Sequence, residues 1–315
     1  MALAAQRLLV VGGNGFVGSA ICKAALARGW QVTSISSSGK PYQTPKGHSP
    51  SWVSQVEWHA ADALEPASYA PLMEGRTSVV HALGTLLEDT RYKAALKSGD
   101  VLALASAFAS SASGGNPLKT SRSGYDALNR DSALRVFETF AAAQPEGPHE
   151  RAFVYISAED VFGPFVPPRY VQSKREAEEE LARLATFEHA TAQIRPVFLR
   201  PGLIYHAHLR PLTSPAAAAL SASATLHGRV PPGFPLPTPA GVLRSLSGVF
   251  PPLSSVANAL VTHPIHVDHV ASAACASIET HSVSGPLGVR EMRRLIGWPV
   301  EGDLGNVAME PNPSV

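Results

Sequence analysis

The chain has 315 residues, enough for one large α/β domain or two smaller ones, and either would bury a substantial core. With 45% hydrophobic and 16% charged residues and a formal net charge of +1, it reads as an ordinary globular protein and not as a nucleic-acid binder. Its two cysteines, Cys22 and Cys275, are too few for a disulfide framework, fall in helical segments as core fillers, and suit a reducing compartment.

In chain order, short β-branched runs alternate with helical stretches. The runs are "RLLVV" from Arg7, "QVTSIS" from Gln31, "VEWHAA" from Val56, "SVVHAL" from Ser78, "AFVYIS" from Ala152, "IRPVFLRP" from Ile194 and "PIHVD" from Pro264. Such alternation predicts a doubly wound parallel sheet with crossover helices. Between Ser98 and Asp126 a Ser-, Gly- and Ala-rich stretch with Asn116 and Pro117 predicts a long mobile loop. The segment "AEEELARLA", led in by "YVQSKRE", has helical spacing, with Tyr170, Lys174, Ala177, Leu181 and Leu184 on one face. Residues 206–263, rich in Pro, Ala and Ser, read as irregular. We therefore expect residues 1–205 to form the nucleotide-binding part and residues 206–315 a smaller lobe that returns to the same unit. The least charged stretches are interrupted by Pro, Ser and Gly and are too weakly apolar to span a bilayer. No secretory signal precedes the first strand, and residues 1–6 leave no room for a mitochondrial presequence.

The turn after the first strand carries the strongest chemical signal. In "VVGGNGFVGSAI", Gly12, Gly15 and Gly18 give one three-residue spacing, while Gly13, Gly15 and Gly18 give G-x-G-x-x-G. Both serve the same need: backbone without Cβ atoms can approach a pyrophosphate, whose charge meets the N-terminus of a helix starting near Phe16. Asn14, Phe16 and Val17 complete this expected cofactor contact. A ligand-free strand-to-helix turn is the bland alternative, but the preceding apolar strand and the following helix favour the dinucleotide.

After the second strand, "SISSSGK" offers Ser36, Ser37, Ser38 and Lys40 and no acid. An acid there would bind ribose hydroxyls and repel a 2′-phosphate, so its absence points to NADP, with NAD as the alternative. Asp62, followed by Ala63, is placed to meet the adenine or, equally, to cap a helix.

In "YVQSK" the spacing of four puts Tyr170 and Lys174 on one helical face. A tyrosine hydroxyl titrates near pH 10, so it exchanges protons near neutrality only beside a positive charge, which Lys174 supplies. A surface Tyr and Lys is the competing reading, weakened by the glycine turn and the strand "FVYIS" upstream.

These residues resemble the short-chain dehydrogenase/reductase superfamily in its extended or atypical branch, which implies a Rossmann NAD(P)-binding fold. The resemblance covers "GGNGFVG", "HALG" with Ala82, Leu83 and Gly84, "LNRDSA" around Asn129, "YVQSK", "RPGLIY" with Pro201, and "IHVDHVA". More narrowly, "SSSGKP", "HALGTLLED", "NRDSA" and "SKREAE" are similar to fungal mitochondrial proteins associated with the coenzyme Q synthesis complex, a group similar to the 39 kDa NAD(P)H-binding subunit of respiratory complex I. The resemblance implies Asn129, Tyr170 and Lys174 as proton-relay and catalytic positions. It also implies a peripheral location on the matrix face of the mitochondrial inner membrane. The partners it implies are subunits of the coenzyme Q synthesis complex, with a prenylated quinone precursor and inner-membrane lipid as further candidates.

One position departs from the family. Aligning "VYISAEDVFG" puts Ala158 where a substrate-polarising Ser or Thr normally stands. Loss of such a donor costs about 100- to 1,000-fold in rate. Thr85, Ser157 through a local bend, and Asp160 are the candidates to compensate. The departure leaves two main functional readings open, an NADPH-dependent oxidoreductase and a non-catalytic nucleotide-binding subunit, and weakens a sugar-nucleotide epimerase or dehydratase.

Three further patterns carry expectations. His263, His266 and His269, spaced by three on an expected strand, should diverge, so no metal is expected. The charges of "KREAEEELAR" should form a solvated face opposite the Tyr170 stripe. From His189 to Val267 there is no Asp or Glu but five arginines, which predicts a hydrophobic, mildly basic lid containing Leu212, Leu220, Leu226, Phe234, Leu236, Leu243, Leu246, Phe250 and Leu253.

Overall fold

The computed structural model describes residues 6–84, 124–145, 150–164, 166–187, 194–211, 213–231 and 237–298. The loop expected around Asn116 and Pro117, the lid residues Leu212, Phe234 and Leu236, and the compensating candidate Thr85 lie outside the described residues.

Runs of consecutive apolar residues become the central strands of the sheet, buried on both faces, while its edges are only partly buried. The strands are β1 (Arg7–Val11), β2 (Gln31–Ser36), β3 (Val56–Ala60), β4 (Ser78–His81), β5 (Arg151–Ile156), β6 (Ile194–Leu199), β7 (Ile204–Tyr205), β8 (Ile265–His266) and β9 (Gly285–Leu287). Seven of them form one sheet in the order 3-2-1-4-5-6-9, every neighbouring pair parallel, and β7 pairs with β8 apart from it. The helices are α1 (Phe16–Leu26), α2 (Ala70–Met73), α3 (Ser132–Ala142), α4 (Pro168–Phe187), α5 (Thr213–Gly228), α6 (Pro239–Leu246), α7 (Pro252–Val261), α8 (Val267–Glu279) and α9 (Val289–Leu295).

Strand alternation sorts β1 into two cores. Leu8 and Val10 join Ile21 and Cys22 of α1 and Val270, Ala274 and Cys275 of α8; Leu9 and Val11 join Phe137 and Phe140 of α3 and Leu181 and Leu184 of α4. The two cysteines are free and buried in the first core, where desolvation raises both thiols. The chain order reverses between β1 and β4, and at such a switch point a ligand meets the carboxyl ends of the strands.

Two expectations are corrected. The region 206–263 contains three helices, α5 to α7. Prolines start two of them: Pro239 and Pro252 occupy first-turn positions, where a missing N–H costs nothing, and Thr238 Oγ1 caps α6 by accepting from Gly241 N at 3.1 Å. "PIHVD" is strand only at Ile265–His266, and α8 begins at Val267 because His266 Nδ1 caps it, accepting from Asp268 N at 3.3 Å.

Candidate functional site

The glycine turn is dictated by contact distances. Gly12 has φ +81°, and a Cβ on Gly18 would lie 2.2 Å from the Gly12 carbonyl oxygen, so α1 approaches β1 as closely as only glycine permits. A Cβ on Gly13 would strike Ser34 Oγ at 2.3 Å. Gly15 opens α1 and is exposed, with its N–H donating back to Gly12 O at 2.9 Å. The turn thus has the bare backbone and helix N-terminus that a pyrophosphate needs.

At the end of β2, Ser36 Oγ is buried with no hydrogen-bond partner among the described residues, while Ser37, Ser38 and Lys40 are exposed. Asn14 ties this segment to the glycine turn, its Nδ2 donating to Ser38 Oγ (3.2 Å) and to Lys40 O (3.3 Å). No acid stands in the segment. An orphaned hydroxyl beside a glycine cradle fits the ribose end of a dinucleotide. Asp62 is exposed and does not cap a helix: its Oδ1 accepts from Leu64 N at 2.9 Å in a local turn, and Glu65 holds the N-cap position of the helical turn that follows. Ala63 faces the core, its carbonyl accepting from Tyr69 Oη.

Lys174 is buried beneath the β4–β5 ends. Its Nζ donates to Ile156 O at 2.9 Å and sits 4.5 Å from the centre of the Tyr155 ring. Asn129 is wholly buried in a π-helical turn, Asp126–Asp131, and its Nδ2 donates to Ser173 Oγ at 3.2 Å while Tyr155 Oη donates to its carbonyl. A Cβ on Gly84 would lie 3.0 Å from Lys174 Nζ and 3.1 Å from Asn129 Oδ1, so the three positions converge. π-turns of this kind recur at functional sites because they redirect one side chain inward. Burial pushes Lys174 down to about 7, with Glu178 opposing, and pushes His81 down to about 3, helped by the Lys174 charge. His81 is therefore neutral, its Nε2 paired with Ser132 Oγ at 3.0 Å. Tyr170 is buried, its ring held edge-on by Tyr125 and Phe162.

A cavity of about 690 Å³ unites much of this chemistry. Phe16, Val17, Ala82, Leu83 and Gly84 line one side of it, with Tyr170, Lys174 and Pro201. The opposite wall is apolar: Phe162 and Val166, Leu220 of α5, and Val256 and Leu260 of α7. Ser36–Lys40, Asp62 and Ala63 stand outside it, at the β2 and β3 ends. Arg210 lies over the Phe16 ring at 3.8 Å and lines the cavity, and nothing in the sequence marks it beyond its charge.

Ala158 and Ser157 both line the cavity. Arg175 fixes this loop, Nη1 donating to Ser157 Oγ at 3.3 Å and Nη2 to Ala158 O at 2.9 Å. Asp160 is turned to the lobe instead: Ser255 Oγ donates to its carboxylate and Asn258 Nδ2 to its carbonyl.

Two sequence expectations fail locally. The charges of α4 are not simply solvated: Glu178 is buried between Arg175 and Arg200, and Glu176 pairs with Arg130 and Arg169. Arg169 and Arg175 belong to α4 itself, but Arg130 and Arg200 come from other elements, which a helical wheel does not reveal. Nor do all three histidines diverge. Because α8 starts at Val267, the His266 and His269 rings lie 5.7 Å apart. Donor atoms of His206, His266 and Asp268 fall within 4.8 Å of one another. The Nδ1 atoms of His206 and His266 accept backbone N–H groups, from His208 and Leu209 and from Asp268, which puts the ring protons on Nε2, where a metal would need a lone pair.

The sequence pattern of the NAD dependent epimerase/dehydratase family matches residues 8–205. The chain belongs to that family. Among relatives of this epimerase/dehydratase chain, MIOREX complex component 2 of Saccharomyces cerevisiae is 38% identical over 211 residues, covering 64% of this chain and 74% of the yeast protein. A chloroplastic protein of Arabidopsis thaliana is 43% identical over 79 residues, 25% of each chain. A solved short-chain dehydrogenase/reductase from Burkholderia xenovorans aligns with TM-score 0.55 at 11% identity, covering 91% of this chain and 97% of the other. MoeE5, solved with UDP-glucuronic acid and NAD, aligns with TM-score 0.51 at 16% identity, covering 90% and 76%. At these identities the two structures establish the Rossmann fold of the epimerase/dehydratase chain and nothing finer.

Proposed function

We propose that this protein is an NADPH-dependent oxidoreductase of the mitochondrial inner membrane's matrix face that acts on a carbonyl or quinone-like carbon in coenzyme Q synthesis, with subunits of that synthesis complex as partners. The observation that carries the enzymatic reading is the convergence of Lys174, Asn129 and Gly84 under a cavity that Tyr170 lines. In this reading Gly12, Gly13, Gly15 and Gly18 hold the pyrophosphate, Ser36 to Lys40 the adenosine ribose and its phosphate, and Ala82 to Gly84 and Pro201 the nicotinamide half. A bound nicotinamide coenzyme would supply or accept the hydride. Tyr170 exchanges the proton at the substrate oxygen, Lys174 holds the ribose and favours the tyrosinate, and buried Asn129 links the pair to the interior. Ser157 takes over polarisation from Ala158: its oxygen accepts from Arg175, which frees its own hydrogen for donation and strengthens it as a donor.

A second reading, a non-catalytic nucleotide-binding subunit of a membrane complex, is favoured by Ala158, and by a yeast relative whose name marks it as a complex component. One experiment separates them. Tyr170→Phe should bind NADPH as tightly as the parent, and more tightly than NADH, yet fail to restore quinone synthesis in cells lacking the protein. Full restoration by the Phe variant assigns the protein to the subunit role.

A further inference from the structure

Of the six exposed large hydrophobic side chains among the described residues, four fall within nine residues of one another: Val242 (41% exposed), Leu246 (48%), Val249 (73%) and Phe250 (62%). They form one stripe. Val242 and Leu246 are a helical i, i+4 pair on α6, and the turn continues the stripe because Val249 N and Phe250 N both donate to Leu246 O at 3.0 Å. The stripe is the outer edge of a lobe whose inner side is part of the cavity: the helix that follows the turn, α7, contributes Val256 and Leu260 to the cavity wall.

Charge along this stretch of chain has a single sign, although one acid from outside it, Asp160, packs against α7 through Ser255 and Asn258. The sequence has no Asp or Glu from His189 to Val267. Of the five arginines in that span, Arg195 is buried against backbone carbonyls, Arg200 is paired with Glu178 and Arg210 covers Phe16. Arg229 and Arg244 remain exposed, Arg244 within the stripe's own helix, with Nη2 also donating to Asn258 Oδ1 of α7 at 3.4 Å, and Arg229 just past α5, whose last turn meets α6 where Ala240 N donates to His227 Nε2.

We propose that the α5–α7 lobe docks on an anionic lipid bilayer, with Val242, Leu246, Val249 and Phe250 entering the acyl boundary and Arg229 and Arg244 at the headgroups. Charge complementarity selects this occupant. Pairing the stripe with its counterpart on a second copy would oppose like charges, whereas phosphate headgroups neutralise them and the acyl region takes the apolar edge. Contact is by lying on the surface: no described helix is long and apolar enough to cross a membrane.

The test uses the full chain and liposome flotation. The protein should float with phosphatidylcholine vesicles that contain phosphatidylglycerol and not with phosphatidylcholine alone. Arg244→Ala should weaken the partition about fivefold, the worth of one basic residue at an anionic surface. The Val249→Asp/Phe250→Asp variant should lose at least tenfold with an unchanged melting temperature, because both side chains are already in water. The emission that Phe250→Trp adds to the protein should be quenched by lipids brominated on the acyl chain. The proposal is overturned if the parent does not float with anionic vesicles, if the double Asp variant floats like the parent, if the emission added by Phe250→Trp is unquenched, or if the Asp pair alters only a concentration-dependent dimer seen by sedimentation.

Discussion

Burial makes the charge on Lys174 costly. Burial lowers its ammonium to about 7 from 10.5, and the carbonyl of Ile156, the Tyr155 ring and Glu178 offset only part of that loss. The sign of the linkage follows. Below about 7 the residue is charged both folded and unfolded; between about 7 and 10.5 only the unfolded chain holds the proton, so this group's contribution to stability rises with pH across that window. On the proposed reading, the negative charge of a bound dinucleotide would favour the ammonium. NADPH binding near pH 8 should therefore take up protons, measured by titration calorimetry in buffers of different ionisation enthalpy, and Lys174→Met should abolish the uptake. Equal uptake by both proteins would place the proton elsewhere. The Tyr170–Lys174 pair was legible in sequence because spacing of four is a local geometric rule. Ser157's partner Arg175 was not, since a strand-end loop and a helix meet there through tertiary packing alone.

At the scale of elements, α4 is anchored by one carboxylate. Glu178 is buried and Arg200 grips it with Nε at 3.1 Å from each oxygen, while Arg175 Nη1 approaches at 2.7 Å. Arg200→Leu leaves a buried charge with half its partners. Removing one member of a buried pair costs about 3–5 kcal/mol, and the remaining Arg175 contact should hold the loss to about 2–3 kcal/mol. Urea titration should show a lower midpoint at unchanged slope, and Glu178→Gln should lose less than Arg200→Leu, because it removes the charge along with its need for a partner. Helices such as α4 were readable from their apolar stripe, all of which is buried. The three helices α5 to α7 were hidden because their prolines read as breakers, whereas Pro239 and Pro252 sit where proline starts a helix. The start of α8 was hidden because β-branched Ile265 and Val267 straddle a strand-to-helix cap.

For the whole molecule, the glycine turn and the alternating runs were enough to anticipate a doubly wound sheet. What they did not reveal is how the last third of the chain completes the core. After the α5–α7 excursion, α8 packs along α1, and β9 pairs with β6 at the sheet edge through Val197 to Leu199. Val270, Ile278, Val289 and Met292 enter the same core as Leu8, Val10 and Val154. Fully burying four such side chains contributes about 6–12 kcal/mol at about 1.5–3 kcal/mol each, which is comparable to the entire stability of a typical domain, about 5–15 kcal/mol. Arg195 adds a polar clasp, donating to the Ser277 and Ile278 carbonyls at the end of α8. Residues 1–205 should therefore not fold alone, although they contain the glycine turn, Tyr170, Lys174 and the whole family match. The expected outcome for a 1–205 fragment is no cooperative thermal transition by circular dichroism and rapid amide exchange in β1, with the 1–298 chain melting in a single step. A cooperatively folded 1–205 fragment that binds NADPH would show that the C-terminal third is an accessory lobe instead of a wall of the core.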